Sequence, residues 1–481
     1  MVRNSPAVRC PIINKQKRGT RRGAHASSSH NIHVRERKDY KRKLSASKLS
    51  HEKDLSTYDI FASCLPGLEP FLNNELKSLG IPQSSSSGGG VHFKLACANK
   101  ILQCHLHLGT ASHIYLRAGV PFRALGMEEL CLKVSRQKFW KQYIKIDRVS
   151  KTTDLPNLDI KVTSRKSRLF HTKGIAERVE RGIWNSLGLD GQAIIDNKIS
   201  DLKSNHNGVL QKKQATIKIL VRISGNMVEI SVDTSNTPLH RRGYRLQGGK
   251  APLREDLAFA LLYSSGFGPG VSLIDPFCGS GTILIEGAAM ACGLPPGRLR
   301  EVPMLGSQFE NRDEWEAMVS SSMDRAYENL ERHKKDPNAH KLVGSDRNKG
   351  AIHAALGNAE RAGVLDLLNL EHQAISSASW FSNPEEAPSR VLVATNPPFG
   401  RRVSKDKKGL GTVQSLLPLY QTLGHKVVNL RGNVDFSIFV QDIILARQTA
   451  VKNLSLKFAS KHGGLNAFVL GAENVALYNQ T

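Results

Sequence analysis

Two short segments of this chain hold residues whose types and order fit small-molecule chemistry. Asp275-Pro276-Phe277-Cys278-Gly279-Ser280-Gly281-Thr282 stands where a short apolar run, Ser272-Leu273-Ile274, gives way to a helical pattern. Gly279 and Gly281 let the backbone approach a ligand closely, and a helix start offers free N–H donors to a carboxylate or phosphate. Taken alone, such a turn serves equally well to reverse the chain, because it recurs across many α/β sheets. Asn396-Pro397-Pro398-Phe399-Gly400 is more informative. Consecutive prolines fix the backbone and leave carbonyls outside any helix. The Asn396 side-chain oxygen and the Pro397 carbonyl can then accept both hydrogens of an exocyclic amine. Its nitrogen lone pair is thereby turned toward an incoming methyl group, and Phe399 can stack on the base. The bland alternative is a rigid Pro-Pro turn. A third residue, Asp346, closes another apolar run, where an acid can accept hydrogen bonds from both hydroxyls of a ribose. It lies 71 residues after Asp275, not the ~20 of a simple dinucleotide unit, and by itself suits a solvated strand end as well.

These segments need elements to position them. Residues 272–275, 341–346 and 390–395 read as short buried strands, with helices over 283–291 and 351–362 between them. Strands alternating with helices predict an α/β, doubly wound parallel sheet whose ligands sit beyond the carboxyl ends of its strands. An insertion containing Trp315 must fill the long gap before Asp346. The preceding chain reads as α+β. Strands are expected at 58–62, 91–93 and 114–116, with helical spacing over 68–79 and 98–108. Further on, 159–163 alternates as a strand, the loop Ser164-Arg165-Lys166-Ser167-Arg168 leads to a helix over 175–187, and 217–223 and 228–232 pair through Ser224-Gly225-Asn226.

Composition narrows the partners. Lys and Arg outnumber acids 68 to 42, giving a formal net charge of +26, and an imbalance of that size favours a polyanionic partner such as nucleic acid. The first 53 residues carry 15 Lys or Arg against three acids and lack hydrophobic periodicity, so residues 1–55 are expected to be a disordered basic tail. No acid precedes Glu36, which fits an organellar transit peptide, while Lys17-Arg18 through Arg22 and Lys41-Arg42-Lys43 suit a nuclear-import or nucleic-acid arm. Organelle against nucleus or cytoplasm stays open. No run approaches the ~18–20 apolar residues of a membrane span, so a soluble intracellular protein without a membrane partner is expected. The seven cysteines stand singly with no zinc spacing, which predicts reduced thiols and no metal.

At this level of detail the chain resembles a known family. The 275–282 turn and Asn396–Gly400 look like the first and fourth motifs of class I amino-methyltransferases. Leu239-His240-Arg241-Arg242-Gly243-Tyr244-Arg245, followed by Ala251-Pro252-Leu253-Arg254-Glu255, narrows the likeness. Together they resemble the THUMP-domain RNA guanine-N2 methyltransferases, above all the bacterial-type enzymes acting on large-subunit ribosomal RNA. Residues 61–69 and 164–173 are similar to that family's ferredoxin-like and THUMP segments. The resemblance implies a ferredoxin-like region at 56–125, a THUMP-like RNA-binding domain at 126–236 and an S-adenosylmethionine-dependent methyltransferase domain at 237–481. It also implies that Asp275, Phe277, Cys278, Gly279, Ser280, Gly281 and Thr282 hold the methionine end of the cofactor, that Ala251, Pro252 and Leu253 line its pocket, and that Asp346 holds the ribose. Asn396, Pro397, Pro398 and Phe399 would form the amine site. Phe399 stands where many relatives have Tyr, and no Asp for the adenine amine is found near Leu370-Glu371-His372-Gln373.

Such a reaction is in-line transfer to nitrogen, in which the protein positions and desolvates and no strong general base is required. A stacked base must be swung out first, and contacts to the RNA backbone offset that cost. Arg165, Lys166, Arg168, Arg241, Arg242, Arg401 and Arg402 are the expected RNA contacts, and each singly also suits a solvated surface. The target amine is expected to be guanosine N2 of ribosomal RNA. Alternatives are the same chemistry on transfer RNA, adenine-N6 or cytosine-N4 methylation of DNA, and a non-catalytic RNA-binding factor that keeps the fold.

Overall fold

Period-two alternation builds the first sheet. In the strand Thr216–Ser224, Ile217, Ile219, Val221 and Ile223 are buried while Arg222 is exposed, as successive side chains point to opposite faces. The computed structural model describes residues 57–82, 84–146, 155–204, 215–246, 252–335, 341–378, 380, 390–399 and 414–475. The basic tail, Ala251, Gly400, Arg401 and Arg402 lie outside the described residues, and with them what was expected of each.

The strands of the first sheet are β1 (Tyr58–Cys64), β2 (Ser84–Ser87), β3 (Gly90–Leu95), β4 (Ala111–Arg117), β5 (Phe122–Arg123), β6 (Asn157–Arg165), β7 (Thr216–Ser224) and β8 (Met227–Asp233). They run in the order β2-β3-β1-β4-β8-β7-β6, with β5 also on β8. Antiparallel pairing of β4 with β8, from Tyr115↔Asp233 to Arg117↔Ser231, makes 56–125 and 126–236 two parts of one continuous sheet. β6 and β7 are parallel, so the chain between them must cross over, and it does so through the helices Thr172–Ser186 and Gly191–Ser204. The first of these buries Ile175, Val179, Ile183 and Trp184 on one face. The second was not expected.

The second sheet holds β9 (Ser272–Asp275), β10 (Leu342–Asp346), β11 (Leu368–His372), β12 (Arg390–Thr395), β13 (Asn433–Val440), β14 (Ser455–His462) and β15 (Leu465–Ala472), in the order β11-β10-β9-β12-β13-β15-β14. β9 to β13 are mutually parallel. The expected parallel sheet needs one correction: β15 runs antiparallel to both of its neighbours. Gly463 and Gly464, both at positive φ, close a two-residue hairpin between β14 and β15, and such a turn can only join antiparallel strands. The insertion after β9 includes the 24-residue helix Arg312–Lys335, which buries Trp315. A single apolar cluster joins Ile60, Leu116 and Val232 of the first sheet with Leu257, Leu273, Leu284 and Phe458 of the second layer.

Candidate active site

β9 and β12 are neighbours, in register from Val391↔Ser272 to Val393↔Ile274. Asp275 and Thr395-Asn396 therefore leave the sheet at the same rim. They are also bonded: the Thr395 hydroxyl donates to Asp275 Oδ1 at 2.7 Å, and the Phe277 N–H donates to that oxygen at 3.2 Å. Asp275 is only 1 % exposed. Burial pushes its carboxyl up to about 7, against the pull of those two hydrogen bonds, and the nearby charge of Asp346 adds to the rise.

The glycine turn is bent as its sequence demands. Gly279 and Gly281 have φ of +54° and +83°, a region that residues with a Cβ enter at a cost. A Cβ on Gly281 would also stand 3.1 Å from that of Ala355. Gly281 caps the helix Thr282–Cys292, whose first turn carries no acid and so presents its N–H groups unneutralised. Across the rim, the Gly279 N–H donates to Asp346 Oδ2 at 3.1 Å and the Asn348 N–H to Oδ1 at 2.8 Å. Each carboxylate oxygen keeps a lone pair for a further donor.

A second layer of residues, missed in the sequence, holds this turn from behind. Fully buried Asn358 donates to the Ser280 carbonyl at 3.0 Å. Arg361 reaches the Tyr244 carbonyl at 2.8 Å, and the Tyr244 hydroxyl donates to Glu286 at 3.0 Å. Arg245 ties the Leu253 carbonyl to Thr282 Oγ1 at 2.8 and 2.7 Å. The Leu239–Arg245 run carried a signal for Tyr244 and Arg245. Asn358 and Arg361 sit in an ordinary helical pattern and carried none.

Along the third edge of the site, Pro397 is buried, Phe399 is half-buried against both apolar clusters, and the Tyr420 hydroxyl holds the Pro398 carbonyl at 3.2 Å. Asn396 Oδ1 is buried and accepts no hydrogen bond from the described residues, so it is free to take an outside donor. Two more buried amide atoms without partners among the described residues follow strands of the same sheet: Gln441 Nε2 directly after β13, and Gln373 Oε1 directly after β11. Gln373 stands where no acid was found.

Other expected residues fall elsewhere. Arg242 is corrected: it is 2 % exposed, donates to the Leu239 and Gly109 carbonyls at 2.9 and 2.6 Å and faces Glu286 at 3.6 Å, so no RNA phosphate can reach it. Cys278 buries its thiol in the core and meets the rim through its backbone, with its N–H on the Ser345 carbonyl at 3.0 Å. Arg241 is exposed, as are Arg165, Lys166 and Arg168, the last three at the far edge of the first sheet. Among the described residues no group of acids, histidines and cysteines could hold a metal, and no helix is long and apolar enough to cross a membrane.

Residues 242–458 match the RMKL-like methyltransferase domain family, and residues 59–115 match the RlmL ferredoxin-like domain. The second half of this chain is thus similar to that methyltransferase domain family. The ribosomal RNA large subunit methyltransferase K/L of Methylococcus capsulatus is 31 % identical over 373 residues, which are 76 % of this chain and 45 % of that protein. The chain spans about half the length of the curated relatives it matches. Among solved structures, a possible methylase from Clostridium difficile 630 is 25 % identical, with a TM-score of 0.68 over 87 % of this chain and 98 % of that one. A structure solved in complex with SAH has the same coverage, a TM-score of 0.66 and 22 % identity, a likeness of fold. In the matched segment the glycine turn and the Asn-Pro-Pro-Phe loop stand side by side on one rim.

Proposed function

We propose that this chain is an S-adenosylmethionine-dependent RNA methyltransferase acting on the exocyclic N2 of guanosine, with ribosomal RNA as substrate. The observation that carries the reading is the buried Asn396 Oδ1, which has no partner among the described residues, beside the glycine turn. A buried acceptor without a donor costs on the order of 1–3 kcal/mol, and a base amine supplies the donor. The names of the relatives favour RNA, and so does the basic sheet edge at Arg165, Lys166 and Arg168.

The residues present fit the cofactor. The Thr282–Cys292 helix start and the Gly279–Gly281 backbone would receive its carboxylate, the charge of Asp275 beneath the turn would favour its cationic end through space, and the free lone pairs of Asp346 would take its ribose. Pro252 and Leu253 would line the pocket, and Gln373 Oε1 would accept the adenine amine. When bound, the cofactor supplies a methyl group already activated on sulfur. Asn396 Oδ1 and the Pro397 carbonyl accept the two amine hydrogens and aim the nitrogen lone pair at that methyl. Phe399 lies against the base, and Tyr420 keeps the loop from shifting. Gln441 Nε2, one strand over, is a donor suited to guanine N3, the acceptor that neighbours N2.

Asn396→Ala is expected to cut methyl transfer by about 10²-fold or more while leaving the cofactor Kd within a factor of a few. Equal activity of variant and parent removes the amine-site assignment. Mass-spectrometric nucleoside analysis of ribosomal and transfer RNA from cells lacking the protein identifies the target. Loss of N2-methylguanosine from ribosomal RNA is expected, and an unchanged nucleoside profile rejects the reading.

A further inference from the structure

The loop joining β6 to the helix Thr172–Ser186 exposes a large aromatic ring with no packing role. Phe170 is 65 % exposed, while its neighbour Leu169 is 4 % exposed and sits in the core. Anchoring of Leu169 fixes the backbone, so the next side chain has to face outward. The ring lies 4.1 Å, centroid to centroid, from that of exposed His171. A single exposed ring is no anomaly by itself, and what it can bind depends on its surroundings.

The loop is rigid. Ser164 Oγ donates to the Leu169 carbonyl at 2.5 Å and Ser167 Oγ to the Arg165 carbonyl at 2.8 Å. The β7–β8 turn clamps it from the side: the Gly225 N–H donates to the Arg165 carbonyl at 3.2 Å, the Asn226 N–H to Ser167 Oγ at 3.0 Å, and the Arg168 N–H to Asn226 Oδ1 at 2.8 Å. A pre-ordered ring loses little entropy on binding.

From Ile160 to Ala176 every charged side chain is basic. Arg165, Lys166, Arg168 and Lys173 are exposed, and none has an acidic partner among the described residues. The helix that begins directly after the ring, at Thr172, has no acid in its first turn and no side-chain cap from His171, which leaves its first N–H groups open to an anion. Cations, free helix N–H groups and an exposed aromatic pair are what a single-stranded nucleic acid uses: phosphates for the first two, a base face for the third. A duplex keeps its bases stacked on one another and can use only the charges.

Resting on the reading of this chain as an RNA methyltransferase, we infer that Phe170 and His171 form a stacking platform for one unpaired base of the RNA substrate, whose flanking phosphates lie on Arg165, Lys166, Arg168 and Lys173. The platform selects a single-stranded segment at the far edge of the first sheet.

Fluorescence anisotropy of the full chain, with a labelled 12-nucleotide single strand of RNA and with its blunt duplex, tests this. Phe170→Ala is expected to weaken single-strand binding about tenfold and to leave duplex binding and the melting temperature unchanged, because the ring supports no core. Phe170→Trp should keep the single-strand affinity. The slope of log affinity against log salt should be unaltered in Phe170→Ala and shallower by roughly 0.7 in Arg168→Gln. Equal loss on single strand and duplex, or no loss on either, overturns the platform even when the parent binds and methylates RNA. A parent that neither binds nor methylates RNA brings down the RNA reading as well. A concentration-dependent dimer abolished by Phe170→Ala assigns the ring to a self-interface and overturns the inference too.

Discussion

At the scale of the residue, Asp275 makes the site sensitive to pH. Its carboxyl titrates at about 7 in the folded chain against an ordinary value of 3.8, because burial disfavours the charge. The folded state therefore holds a proton that the unfolded state has released. Stability from this group is present at low pH and is lost as pH rises toward 7. Denaturant midpoints measured from pH 4.5 to 8 should show that fall, and Asp275→Asn should flatten it. A cationic cofactor favours the ionised carboxylate, so its affinity should climb through the same range with release of a proton, read by calorimetry in buffers of different ionisation enthalpy. Thr395→Val removes a donor to Asp275 and should move both midpoints upward.

At the scale of the element, the glycine turn and the helix behind it form one device. Gly281→Ala combines a φ of +83° with a close approach to Ala355, and should cost about 1–2 kcal/mol of stability together with cofactor affinity. Asn358→Leu strips the Ser280 carbonyl of its donor. A loss of about 1–3 kcal/mol is expected, with a weaker cofactor Kd in an isothermal titration and little change in the rate at saturating cofactor. A rate effect at saturation, with an unchanged Kd, would show that the helix acts on the amine loop instead. The turn itself was legible from Gly-Ser-Gly after an apolar strand. Its support was not, since a buried Asn at one position of an amphipathic helix looks like any polar face residue until the neighbouring element is known.

At the scale of the whole molecule, the two sheets share a core, and Arg242 bridges their layers. Its partners are the Gly109 carbonyl before β4 and Glu286 in the helix Thr282–Cys292. Arg242→Leu leaves a carboxylate buried without its cation and should cost about 3–5 kcal/mol. Because Ile60 and Leu273 belong to one apolar cluster, residues from 57 onward should melt in a single calorimetric transition, where two independent domains would give two. The basic character of Arg242 in the sequence pointed to RNA. Only its 2 % exposure reassigns it to the joint between layers, because charge is written in the sequence and solvent access is not.

What the sequence determines by itself is local. Apolar runs ending in Asp275, Asp346 and Thr395 dictate strands, the glycines dictate a tight turn, and Asn396-Pro397-Pro398-Phe399 dictates a stiff loop that carries acceptors outside any helix. Tertiary structure decides which strand ends are neighbours, and so whether those loops meet. Gly279, 67 residues before Asp346, meets it in a 3.1 Å hydrogen bond, and β15 turns antiparallel between β13 and β14. Adjacency in a sheet is settled by long-range burial and pairing, energies that no window of neighbouring residues contains.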